Sequence, residues 1–520
     1  MCLALHSDAG KRSDDSFVGT LGIYFTNGGD TYEDGTPRIN SRMLTDMVMR
    51  QITGDIRQTY EPRWTRRSMW DKSYVEARVP EVPTTLIELM SHQNFADMQY
   101  GLDPGFRFTV GRAIYKALGR FMAERKDRQF VVQPLPVSDF SIHRNKKHHY
   151  RLSWRATNDS LEPTATPKKY IILERSGDEL GFHKIGETGS THFDVRTSDN
   201  EIHSFRVIAA NDGGVSFPSE TLALREGTAD SQQVMIVNGF TRTSGPARFS
   251  EGGQAGFRSE EDFGVPFLRD ISFTGHQYDF RRGSGSFGQS RSDYATKVIA
   301  GNTFDYPYIH GKAIADAGYG FVSSSASAVE KGDVKLNDYK TVDLILGKQK
   351  RTSVGNGKSG IRHAAFPEEI QKKLRHFISK GGNLLVSGQY VASDVSADEH
   401  GADFAREVLG VELDSVSDRN PSGGVELSLP GGHSRSASYS CTLNEKTYIV
   451  ERPDALRAAE GSARQVMTLA DNGSAAGIFS RKGKGHRAVF SIPIEAVTAP
   501  EQRTAIIKAA LEYFGQQGRD

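Results

Sequence analysis

The sequence predicts a multidomain protein of three parts: an α/β domain over residues 1–128, an all-β sandwich over 132–228, and a doubly wound α/β domain built on a parallel sheet over 232–517. Three observations predict it. A chain of 520 residues is longer than one ordinary core organises. Short alternating strands broken by frequent turn residues fill the middle stretch. In the last stretch, apolar runs alternate with helical periodicity, the pattern of parallel strands covered on both faces.

Composition narrows the functional classes. With 65 basic against 64 acidic residues, nothing in the totals points to nucleic acid or a membrane surface. No apolar run approaches the ~20 residues that span a bilayer, so no transmembrane segment is expected. The N-terminus lacks the basic region of a signal peptide. Cys2 and Cys441 lie far apart and suggest neither a disulfide framework nor a zinc-thiolate site.

Met1–Leu5 reads as a buried strand that delivers His6 into a loop of small and polar residues. The strand begins without a lead-in, which suggests an internal start within a longer, exported chain and an unpaired apolar edge at Leu3–Leu5. Asn40 or Ser41 is expected to cap a helix with the stripe Leu44, Met47, Val48, Ile52 and Ile56. Arg63, Arg66 and Arg67, with Trp64 and Trp70 among them, read as a solvated face with two packing tryptophans. Val82–Met90 is a second apolar strand carrying one carboxylate, Glu88. Asp103 caps a helix with Pro104 at its first position, burying Phe106, Val110, Ile114, Ala117 and Phe121.

Two motifs carry a family resemblance. Leu3–Ala9, containing His6-Ser-Asp-Ala, and Pro83–Leu89, containing Glu88, followed by Asn94 and the Asp103-Pro104 helix, resemble a zinc-dependent N-acetylmuramoyl-L-alanine amidase. The resemblance covers about the first quarter of the chain. It implies His6 as a zinc ligand, Glu88 as catalytic base, peptidoglycan or a related glycan as partner, and a periplasmic or secreted location. Zinc hydrolysis needs three protein ligands and one open position for water. The family's other two ligands precede the strand that matches Leu3–Leu5, and His92 does not match a ligand position, so impaired activity is expected. A lone histidine at a strand end also reads as a packed or hydrogen-bonded residue.

Pro134-Leu-Pro136 marks a linker. Tyr150–Trp154, Lys169–Arg175 and Ser204–Asn211 are strands of the sandwich, which resembles a fibronectin type III domain with His203 where that family has a corner tyrosine. Such a domain is expected to act as a spacer. In the third part, Val234–Val237, Val342–Leu346, Asn383–Val386 and Ala488–Ile492 are the apolar strands. Residues 367–380 and 500–514 are helices, and 423–485 reads as an antiparallel insertion. This part resembles glutamine-amidotransferase-like or flavodoxin-like domains. The turn Val386-Ser-Gly-Gln-Tyr390 lacks the amidotransferase cysteine, and Ser387 sits in no Gly-x-Ser-x-Gly elbow, so catalytic silence is expected. Asn302–Tyr306 with His310 could line a pocket or simply pack. Gly283–Gly288 satisfies G-x-G-x-x-G without a strand-to-helix setting, and Gly357-Lys358-Ser359 lacks the leading glycine of a phosphate loop.

Three functions are weighed. The first is an amidase-lineage enzyme using zinc. The second is a non-enzymatic envelope or glycan-binding surface protein. The third is a polysaccharide-cleaving enzyme like the xanthan lyases.

Overall fold

The computed structural model describes residues 1–520 apart from 11, 13–15, 198–199, 228–232, 266–279, 282–299, 356–358, 418–420, 431–433, 462 and 516–520. The Gly283–Gly288 motif lies outside the described residues, as do Gly357 and Lys358.

The first domain runs β1 (Cys2–Asp8), β2 (Thr20–Tyr24), α1 (Ile39–Thr59), β3 (Arg66–Asp71), α2 (Val75–Arg78), β4 (Thr84–Ser91), α3 (Phe95–Gly101) and α4 (Pro104–Glu124). Its sheet has the order β1-β4-β2-β3, with β1 parallel and β2 antiparallel to β4. Helices α1 and α4 cover one face because their apolar residues recur every three or four positions. Leu44, Val48, Ile52 and Ile56 interleave with Phe106, Val110, Ala117 and Phe121 in a shared core. Asp103 caps α4 by accepting the Phe106 N–H at 3.0 Å. Helix α1 departs from expectation. It starts at Ile39 without a side-chain cap, and Ser41 inside it accepts the Thr84 N–H at 3.0 Å, tying the helix to β4.

Trp64 is fully buried and donates to Thr20 Oγ1 at 3.0 Å, whereas Trp70 remains on the surface. Arg66 pairs with Asp46 and Arg67 with Asp8, so the basic run is neutralised locally. Strand β1 lies at the sheet's edge, paired on one side only, and Leu5 is exposed.

The middle sandwich comprises β5 (Ser138–Lys146), β6 (His149–Arg155), β7 (Lys169–Ser176), β8 (His183–Thr188), β9 (His192–Arg196), β10 (His203–Asn211), β11 (Gly214–Val215) and β12 (Leu222–Leu224). β5, β6 and β9 form one sheet, and β8, β7, β10, β11 and β12 the other, the all-β arrangement expected of a fibronectin type III fold. Trp154 is buried edge-on against Tyr170 between them. His203 is buried, and Nδ1 lies 2.8 Å from Glu174 Oε1, so a hydrogen bond to Glu174 stands at the corner position.

In the third part, β13 (Val234–Asn238) leads to the ribbon β14 (Arg248–Glu251), β15 (Gln254–Phe257) and β16 (Phe280–Arg281). Then come α5 (Tyr306–Asp316), β17 (Phe321–Ser325), α6 (Ala326–Lys331), β18 (Thr341–Gly347), a ribbon of β19 (Thr352–Ser353) and β20 (Ile361–Arg362), α7 (Glu368–Ser379) and β21 (Asn383–Gly388). The chain continues through α8 (Glu399–Phe404), β22 (Val411–Val416), β23 (Gly424–Ser428), β24 (Ser434–Ser438), β25 (Asp454–Ala458), β26 (Arg464–Leu469) and β27 (Ala475–Lys482) to β28 (Gly485–Phe490) and α9 (Pro500–Gly515). The parallel strands lie in the order β17-β13-β18-β21-β28. Helices α6 and α7 bury one face of this sheet and α5 and α9 the other, so the domain is doubly wound. Strands β22–β27 are antiparallel, the insertion expected from the sequence.

The spacer expectation does not hold. β5 of the sandwich pairs antiparallel with β17, so the sandwich and the α/β domain share one 14-stranded sheet. Ser323 cements the seam, its Oγ accepting the Ala223 N–H at 2.8 Å and donating to the Ala223 carbonyl at 2.7 Å. The first domain docks too: Val354 of the α/β domain is buried in the first domain's core. No helix among the described residues is long and apolar enough to cross a membrane.

Candidate functional site

Parallel pairing of β1 with β4 places His6 directly opposite Glu88. Both sit near the carboxyl ends of their strands, β1 running on into Ala9 and Gly10 and β4 into the turn 92–94. His6 is half-exposed, with Nδ1 4.0 Å from Glu88 Oε1 and Nε2 3.6 Å from Glu76 Oε1. Glu76 reaches the imidazole from the short helix α2. It carries no sequence motif, and only its position in the loop between β3 and β4 could have flagged it. His92 joins the same rim, with Nδ1 3.1 Å from Ser7 Oγ and its N–H donating to the Asp8 carbonyl at 3.0 Å.

Glu88 is the perturbed group. Burial lifts its carboxyl above the usual range, His6 draws it back, and Asp8 pushes it up again. Oε2 of Glu88 is buried and has no hydrogen-bond partner among the described residues. Below the rim, Asp97 accepts N–H groups from Val18, Gly19 and Ser91 at 3.2, 3.1 and 2.9 Å, tying the entry to β2 to the end of β4. Burial pushes Asp97 up to about 6. Asn94 caps α3 by accepting the Asp97 N–H at 2.9 Å. Asn94 is thereby assigned a local architectural task.

Zinc was expected at His6. The two carboxylates approach opposite ring nitrogens, so one metal ion could gather His6 and a single glutamate. Among the described residues no group of three or more His, Cys, Asp or Glu side chains is placed to hold a metal. A catalytic zinc needs three ligands, and these residues do not fit it.

The positions singled out in the α/β domain behave as structure. Ser387 is fully buried, its Oγ 3.4 Å from the Ile494 N–H. Asn302 donates to the Phe240 carbonyl at 2.9 Å and accepts the Phe304 N–H at 2.9 Å. Asp305 pairs with Arg175 across the seam. His310 is buried between Asp343 and Glu495.

No protein-family model matches the chain, and no curated protein matches it. The amidase resemblance therefore rests on the His6 and Glu88 motifs alone. Among solved structures, the fourth fibronectin type III domain of a human protein is 21% identical over 18% of this chain and 79% of its own, with a TM-score of 0.17. A cold-adapted β-galactosidase from Rahnella sp. R3 is 14% identical over 41% of this chain and 27% of its own, with a TM-score of 0.28. An exo-β-1,4-mannosidase from Opitutaceae bacterium strain TAV5 is 11% identical over 56% of this chain and 37% of its own, also at 0.28. The chain thus spans well under half the length of each of these two enzymes.

Proposed function

We propose that the chain is a glycan-directed hydrolase, working on peptidoglycan or a related glycan of the cell envelope at the rim formed by β1 and β4. A periplasmic or secreted location belongs to the same proposal. Glu88 is the observation that carries it: a carboxylate lifted by burial, with one oxygen buried and unpartnered, beside a half-exposed histidine. A general base works best when its pKa approaches the operating pH, and burial moves Glu88 in that direction.

For the amide between N-acetylmuramic acid and the first alanine, the step balances simply. Glu88 takes a proton from water as the water oxygen adds to the carbonyl carbon. The proton passes to the leaving nitrogen as the C–N bond breaks, giving a muramic carboxylate and a free alanine amino terminus. His6 orients the water and shares the proton. No step is routed through zinc, because the donors among the described residues do not make up its ligand set.

Glu76 favours a second reading. Two carboxylates flank the imidazole, Glu76 on the side of Nε2 and Glu88 on the side of Nδ1. Glycoside hydrolysis also works with a pair of carboxylates, one as general acid and one as base or nucleophile. One assay separates the readings: muropeptides and intact glycan strands are incubated with the chain, and new alanine amino termini and new reducing ends are counted. Glu88→Gln is expected to lower either rate by about 100-fold or more without loss of fold. The wild-type rate should fall as pH drops through the raised Glu88 pKa, because only the carboxylate accepts the proton. Undiminished turnover by Glu88→Gln would refute the assignment. Glycan retention by the wild type without turnover would identify a binding protein instead.

A further inference from the structure

The five parallel strands follow one another in space as second, first, third, fourth and fifth, so the winding reverses between β13 and β18. Loops leaving the carboxyl ends of those two strands diverge, and such a crevice is where open α/β sheets take their ligands. Here the first domain covers part of the crevice. A cavity of about 250 Å³ remains, walled by Gln99 and Leu102 from the first domain and by both loops.

Its floor is charged. Arg242 and Asp262, both buried, pair at 2.5 Å. Lys350, also on the lining, lies 3.2 Å from Asp262, and behind the lining the fully buried Lys348 lies 3.1 Å from Asp262 and 2.6 Å from Glu451. Three cations thus share two carboxylates. The wall adds a fourth: the Arg248 guanidinium donates to Gln99 Oε1 at 2.9 Å and to the Ser353 carbonyl at 3.1 Å, both uncharged. No ion pair engages Arg248 among the described residues. Ser244 lines the same cavity, is 4% exposed, and its buried Oγ has no hydrogen-bond partner among the described residues. Asp103 lines the cavity as well and acts on Arg248, so among the described residues four cations face three carboxylates. The remaining positive charge and the Ser244 hydroxyl suit a ligand that accepts hydrogen bonds and carries negative charge.

We propose that this cavity is a binding site for a small molecule of monosaccharide size bearing one oxyanion, a carboxylate or a phosphate, held by Arg248 and Lys350 with Ser244 donating from the wall. The site is separate from the β1–β4 rim, and its occupation does not depend on hydrolysis there.

Calorimetric titration of the full chain tests it, with D-glucuronate, glucose 6-phosphate and glucose as probes. Saturable binding of glucuronate assigns the carboxylate class, and of glucose 6-phosphate the phosphate class. Arg248→Gln is expected to weaken that binding by about 10- to 100-fold, the worth of a charge-assisted hydrogen bond. Because Arg248 also joins two domains, Ser244→Ala serves as a milder second variant, expected to weaken binding several-fold with an unchanged melting profile in the absence of ligand. Glucose binding as tightly as the anions, no binding by either anion, or anion binding that both variants leave intact would each overturn the proposal.

Discussion

Replacing His310 with asparagine tests a fully buried charge of the α/β domain. The imidazole lies with Nδ1 2.8 Å from Asp343 Oδ2 on β18 and Nε2 3.1 Å from Glu495 Oε2, and Glu495 also accepts the Tyr448 hydroxyl at 2.8 Å. Burial alone would disfavour the imidazolium, yet Asp343 and then Glu495 outweigh it and lift the pKa from 6.5 to about 10. A group whose folded pKa is raised contributes stability that is full below its unfolded pKa and lost as pH rises through the folded value. At about 1.4 kcal/mol per pH unit, the interval corresponds to roughly 5 kcal/mol, present near pH 6 and gone by about pH 10. Removing one partner of a buried ion pair costs about 3–5 kcal/mol by an independent route. Urea unfolding of wild type and His310→Asn at about pH 6, 8 and 10 reads the difference directly. The gap should be about 3–5 kcal/mol at the lowest pH and shrink steadily towards the highest. A gap that stays constant across the range, or one below about 1 kcal/mol throughout, would show that His310 is neutral and merely packed.

Other outcomes follow from the domain contacts. Gly355 has φ +57° and an added Cβ would sit 1.9 Å from the Tyr100 ring, so Gly355→Ala should cost about 2–5 kcal/mol and loosen the first domain, read as faster proteolysis between domains. A fragment of residues 233–520 should associate or precipitate, because losing the sandwich exposes the edge of β17 and strips Ser323 of both partners. A monomeric fragment on size-exclusion chromatography, melting like the intact chain, would contradict the shared-sheet account.

Much of the local structure was legible. The stripes of α1 and α4 were written in three- and four-residue spacing, and the parallel strands in short apolar runs, because burial is decided locally for those residues. Asp103 announced a cap because it precedes Pro104 and the apolar run. The α1 start was not legible, since Ser41 is claimed by Thr84 from a distant strand rather than by its own helix. His6 and Glu88 were found by motif and the sheet register brings them together; Glu76 was missed because an exposed carboxylate on a one-turn helix has no pattern. The switch-point cluster was missed for a similar reason. Arg242, Asp262, Lys348 and Glu451 are scattered along the chain, and each reads singly as a surface charge until the strand order gathers them. Strand pairing between domains was equally silent: Ser141 and Ser324 lie in segments whose own alternation is satisfied without naming a partner.

These pairings decide how the two candidate sites relate. Lys116 of α4 is buried between Asp55 at 2.7 Å and Glu162 of the sandwich at 3.1 Å, and Arg120 pairs with the same Glu162 at 2.7 Å. Gly245 lets the α/β domain approach the Leu102 carbonyl, where an added Cβ would come within 2.9 Å. Each of these contacts is lost if a domain swings away, and leaving buried charges such as Lys116 without partners costs several kcal/mol. The first domain is therefore held against both of its neighbours rather than tethered to them. Helix α3 begins four residues after β4 and ends at the cavity wall, so the Glu88 rim and the cavity lie at opposite ends of one strand-and-helix unit. A ligand bound as proposed in the cavity would touch the unit that carries Glu88 without entering the rim, so Arg248→Gln and Glu88→Gln should act independently, one on ligand binding and the other on turnover.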